Sequence, residues 1–95
     1  MEDDLFYITI NVAEVIDLKI RIKRDDEEQY RNAANYVKSK FQEYQKKHPK
    51  QGIETHLSLV SLELALEVLE DKKEKGSIYN RIGKLVKELE ENFKE

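Results

Sequence analysis

His48 and His56 are the first residues to test for chemistry. The chain has no cysteine, so a metal site would have to join these imidazoles to carboxylates. Acidic residues are plentiful, but charge runs on long helices are ordinarily solvated faces. Both histidines are therefore read as exposed surface residues. Thr55, Ser58 and Ser61 sit near the start of a leucine-rich stretch. A nucleophile among them would need an adjacent base in a rigid pocket, and the sequence offers neither. The glycines stand apart at 52, 76 and 83, so no Gly-rich phosphate loop is present. The expectation is a non-enzymatic protein without metal or cofactor.

A row of cations is the best surface constellation. Lys19, Arg21 and Lys23 alternate with Leu18, Ile20 and Ile22, and Arg24 follows. Alternate side chains of a strand share a face, so these cations would line one side of it. Two readings stand. Lysines on an open edge discourage strand pairing between molecules, which is a protective role. The same row could instead dock a linear acidic segment or an acidic patch of a partner.

The elements that must hold this row follow from periodicity. Ile8, Ile10 and Val12 alternate with Thr9 and Asn11, a β-branched pattern of period two. With the basic strand it reads as an antiparallel hairpin over residues 7–23, turning near Ala13–Asp17 without a glycine. A lone hairpin is barely stable in water, so its apolar face must pack on something. Asp25 and Glu28 resemble a capping box, and Asp26 and Glu27 suit the positive end of a helix. Tyr30, Ala33, Ala34, Val37, Phe41 and Tyr44 then recur at helical spacing. This predicts an amphipathic helix over 25–48, ended by Pro49, and a turn over 49–53.

The remaining stretch carries a long apolar stripe. Leu57, Leu64, Ile78 and Leu85 share one seven-residue track, and Val68, Ile82 and Leu89 a second. A single helix from about Glu54 to Phe93 would be roughly 60 Å long, more than residues 1–53 can cover. The sequence thus predicts an α+β fold with a head over 1–53 and a long coiled-coil helix over 54–95. Dimerisation would use Leu57, Val60, Leu64, Val68, Ile78, Ile82, Leu85 and Leu89. Glu70–Ser77 interrupts the stripe, and two helices split at Gly76 is the alternative.

Composition agrees with an oligomer. A 95-residue chain without disulfides buries a small share of its surface as a monomer. The mixed charge, net −3, argues against a general nucleic-acid binder. No segment approaches the roughly 20 apolar residues of a membrane span. The acidic start Met1-Glu2-Asp3-Asp4 is unlike a secretory signal. A cytoplasmic protein is expected.

The layout resembles a known family. Ile8-Thr9-Ile10-Asn11-Val12 precedes Leu18-Lys19-Ile20, then come Asp25-Asp26-Glu27-Glu28 and Arg31-Asn32-Ala33-Ala34. The last element opens Thr55-His56-Leu57-Ser58-Leu59-Val60-Ser61-Leu62-Glu63-Leu64-Ala65. In this order they resemble the bacterial cell-division family ZapA over nearly the whole chain. The resemblance implies a non-enzymatic cytoplasmic protein at the division site. It would bind FtsZ through its heads and cross-link or bundle FtsZ filaments as a homodimer or homotetramer. Where the family's hairpin often has Gly followed by a polar residue, this chain has Ala13 and Glu14. The FtsZ contact is therefore expected on Lys19, Arg21, Lys23 and Arg24, with Arg31 nearby. A generic coiled-coil adaptor or regulatory subunit with a different cytoplasmic partner is the alternative function.

Overall fold

The two alternating segments pair as expected. The computed structural model describes residues 5–73 and 78–93. Strands β1 (Leu5–Val12) and β2 (Ile16–Lys23) form a two-stranded antiparallel sheet, in register from Leu5 with Lys23 to Val12 with Ile16. Directly opposed residues share a face. One face therefore carries Phe6 with Ile22, Ile8 with Ile20, Ile10 with Leu18, and Val12 with Ile16. The other carries Leu5, Tyr7, Thr9 and Asn11 opposite Lys23, Arg21, Lys19 and Asp17.

The turn is tighter than the sequence suggested. Val15 N–H donates to the Val12 carbonyl at 2.8 Å, and Ala13 and Glu14 both have positive φ, 53° and 60°. That is the primed turn whose twist suits a hairpin, usually built with Asn-Gly or Gly-Gly. Here a side chain braces it instead. Asn11 Oδ1 accepts from the Glu14 N–H, and Asn11 Nδ2 donates to Asp17 Oδ1, each at 2.8 Å.

The chain leaves β2 through a 3-10 turn, Arg24–Asp26, into helix α1 (Glu27–Lys47). The expected capping-box start at Asp25 is thus replaced by a helix beginning at Glu27. The residue capping the 3-10 turn, Lys23, makes no side-chain cap bond. Four acids, Asp25 to Glu28, crowd the entry, where the helix dipole favours negative charge. The apolar side of α1 packs on β1. Ala34 lies against Ile8, Ile10 and Ile22, the buried core of the hairpin, joined by half-buried Phe6, Val12 and Ile20. Residues Met1–Lys47 form one compact unit.

The second unit, His48–Glu95, corrects the expectation of one long coiled-coil helix over 54–95. Among the described residues it contains two helices, α2 (Ile53–Lys73) and α3 (Ile78–Asn92). The stretch Asp71–Ser77 supplies no apolar side chain to hold a helix against a partner, and Gly76 costs about 1 kcal/mol in a helix interior. The stripe residues Leu85 and Leu89 of α3 meet leucines of α2 that lie off the predicted stripe. Leu59, Leu62 and Leu66 of α2 and Leu85, Leu89 and Phe93 line a common open groove of about 610 Å³. The Phe93 ring also meets the His48 ring edge-on, centroids 4.9 Å apart. The C-terminal end of α3 thus lies at the N-terminal end of α2, so the two run antiparallel.

Candidate partner-binding face

The period-two spacing on β2 places Lys19, Arg21 and Lys23 on the hairpin face away from Ile8, Ile10 and Ile22. At about 3.4 Å per residue their Cα atoms follow one another at roughly 7 Å intervals. All three are exposed, and among the described residues none is held in an ion pair. Lys19 Nζ stands 5.1 Å from the centre of the Tyr7 ring, diagonally across the sheet. A cation over an exposed aromatic face gains about 0.5–1 kcal/mol and so fixes the ammonium position only lightly. Asp17, the acid on this face, already accepts the Asn11 bond at the turn end.

The other two predicted contact residues lie apart from this row. Arg24, in the 3-10 turn, places its guanidinium 4.4 Å from the centre of the Phe6 ring. Phe6 belongs to the apolar face of the hairpin, so Arg24 is drawn off the basic face. Arg31 lies on α1, where Nε donates to Glu27 Oε2 at 3.0 Å, one helical turn away. It borders a hollow of about 220 Å³ with Ile10, Asn11, Ala34 and Asn35. The geometry therefore assembles three of the five cations.

The residues expected to join two chains are divided within one. Val60 is buried in the single chain, 2% exposed. Leu57 and Leu64 are half-buried, Leu85 and Leu89 half-buried in the groove, and Val68 exposed. The side chains of Ile78 and Ile82 lie outside the described residues. Sequence periodicity did not single out Ile53, Leu62 and Leu69, all exposed on α2.

The histidines also depart from expectation, since His48 and His56 are buried at 9% and 4% exposure. His56 Nε2–H donates to the His48 carbonyl at 2.8 Å, which places the proton on that nitrogen. The same carbonyl accepts the Gln51 N–H at 3.1 Å. The pair thus ties the first turn of α2 to the Pro49–Gly52 turn, a structural use of imidazole. Nothing in the sequence marked it, because a histidine before a Pro-Gly turn looks like a surface residue. Ser61, a candidate nucleophile, donates its hydroxyl to the Leu57 carbonyl one turn back. Among the described residues no group of three or more His, Asp or Glu could hold a metal ion. None of the described helices is long and apolar enough to cross a membrane.

The described residues thus carry a basic strand face, a local histidine brace and a leucine-lined groove. The family model for cell division protein ZapA matches residues 8–94. The chain belongs to the ZapA family. No curated protein and no solved structure matches it. ZapA membership makes this a cell-division protein associated with the FtsZ ring, in a family of non-enzymatic division accessories. The match begins at Ile8, inside β1, and runs through both units.

Proposed function

We propose that this ZapA-family chain binds FtsZ through its hairpin and cross-links FtsZ filaments at the division ring, in the cytoplasm. The observation that carries the reading is the exposed row Lys19, Arg21 and Lys23, three cations on one sheet face without ion-pair partners among the described residues. Arg24 and Arg31, held by Phe6 and Glu27 apart from this row, are secondary contributors. Bridging two filaments needs at least two heads in one particle. Joining weak sites in one particle raises effective affinity without new contacts. The exposed α2 side chains Leu62, Val68 and Leu69 favour self-association into a homodimer or homotetramer. Leu57, Val60, Leu64, Leu85 and Leu89 would complete that apolar surface.

Co-pelleting with polymerised FtsZ tests the reading. Wild-type protein should pellet with filaments and bundle them. Salt should weaken the binding, because screening shortens to a Debye length of about 8 Å at 0.15 M. The double variant R21E/K23E should lose co-pelleting with its helicity and its particle size by light scattering unchanged. Full bundling by that variant would remove the basic face from the contact. A wild type that fails to pellet with confirmed filaments at low salt would return the chain to the generic adaptor reading. A wild type that stays monomeric across a concentration series would remove the cross-linking step.

A further inference from the structure

The basic face belongs to a strand with one unpaired edge among the described residues. There the sheet has two strands, so β2 pairs with β1 on one side only. Helix α1 packs on β1. Six of the eight β2 residues are exposed. An open edge presents unpaired N–H and C=O groups, a ready template for another strand. The two faces of β2 are also chemically distinct. One bears Lys19, Arg21 and Lys23. The other bears Leu18 and Ile16, which belong to the apolar side yet are 43% and 53% exposed.

We infer that β2 receives an extended partner segment by strand addition, and that the segment alternates acidic with apolar residues. The inference rests on the partner-binding reading above and gives that partner segment a chemistry. A strand laid beside β2 at about 4.8 Å sends its side chains alternately to the two faces. On one face its neighbours are three cations at period two, which a carboxylate at every second position would match. On the other they are Leu18 and Ile16, which apolar side chains in the intervening positions would cover. Backbone hydrogen bonds supply the common affinity, and the alternation supplies the selectivity. The same cations that repel the β2 edge of a second copy attract this acidic segment, so charge selects the occupant.

The test uses the full-length protein and a capped octapeptide in which Glu alternates with Val. Binding is followed by amide NMR shifts and titration calorimetry. The alternating peptide should bind and shift the amides of Ile16–Lys23 most. A peptide with four Glu followed by four Val should bind at least tenfold more weakly. N-methylation of every second peptide amide should abolish binding in one phase and change it less than twofold in the other, since only one set of amides faces β2. The R21E/K23E variant should lose the alternating peptide, and the exposed change Leu18→Asp should weaken it with the fold intact by circular dichroism. Equal binding of block and alternating peptides, or N-methylation effects independent of phase, would overturn strand addition. If FtsZ co-pelleting persists in that case, the partner reading survives and only the edge mode falls. Phased peptide binding without FtsZ co-pelleting would keep the edge site and remove FtsZ as its occupant.

Discussion

Ile10 and Leu18 face each other across the hairpin and share its apolar side, yet they live in different surroundings. Ile10 is 6% exposed in the core under α1, whereas Leu18 remains nearly half exposed. The two strands have equal length and the same alternation. What separates them is the position of α1, which covers β1 and the Ile22 end of β2 and leaves Ile16 and Leu18, at the turn end, exposed. An apolar face therefore marks where a strand can be buried, and the packing of the next element decides which part is. β1 became the structural strand of the head and β2 the presenting one.

The sharpest way to break this contrast is to truncate both partners of that pair. Ile10→Ala should lower unfolding free energy by about 2–5 kcal/mol, as buried aliphatic truncations do. Leu18→Ala should cost no more than about 1 kcal/mol, because much of its side chain already meets water. Urea unfolding followed by circular dichroism measures both. Losses of equal size would mean that β2 is as covered as β1.

A second test moves to the turn that joins the strands. Asn11 accepts from the Glu14 N–H and donates to Asp17 across the hairpin, so Asn11→Ala should cost about 1 kcal/mol. The neighbouring Thr9→Ala change on the same face, with no such bracing role, serves as the control. Thermal melts that rank Thr9→Ala above Asn11→Ala would reject the brace.

The turn itself gives a gain of smaller size. L-residues in the left-handed region cost roughly 1–2 kcal/mol each, and glycine avoids that cost at some loss of chain entropy. Glu14→Gly should stabilise by about 0.5–1 kcal/mol, because Glu14 is exposed and its ion pair with Lys38 is a surface one. Ala13→Gly should gain less, since the buried Ala13 methyl is worth about 0.8 kcal/mol. Melting temperatures in which Ala13→Gly exceeds Glu14→Gly would show that burial is not what separates the two positions.

The smallest effect is expected on α1. Arg31→Ala removes one exposed pair with Glu27 and should change stability by about 0.3–0.5 kcal/mol. Its effect on FtsZ co-pelleting should be well below that of R21E/K23E. A larger effect would shift the binding face from β2 toward the α1 side of β1.

Much of this architecture was legible in the residues. Alternation located both strands and the basic face, and helical spacing located α1. Two features were hidden for physical reasons. Leu85 and Leu89 have the same helical spacing whether they meet another chain or fold back on Leu59, Leu62 and Leu66 of their own. Periodicity reports that a face wants burial and not what buries it. The polar stretch with Gly76 was the only hint that α2 and α3 are separate. The burial of His48 and His56 was hidden because their bond depends on a carbonyl presented by the turn, not on any side-chain pattern. Arg24 looked like the fourth cation of a row, but the chain leaves the strand at Lys23, so its spacing ceased to matter.

The register of the sheet also bears on how the head comes into being during synthesis. Its pairings run from Val12 with Ile16, four positions apart, to Leu5 with Lys23, eighteen apart. Such short separations close cheaply, and hairpins form in about 1–10 μs. Translation proceeds at roughly 5–20 residues per second, so the second unit takes seconds more to be made. Every strand partner is in place once Lys23 has been added. The presenting strand and the α1 residues that bury the hairpin core are therefore all made before any of the residues that would assemble it with another copy.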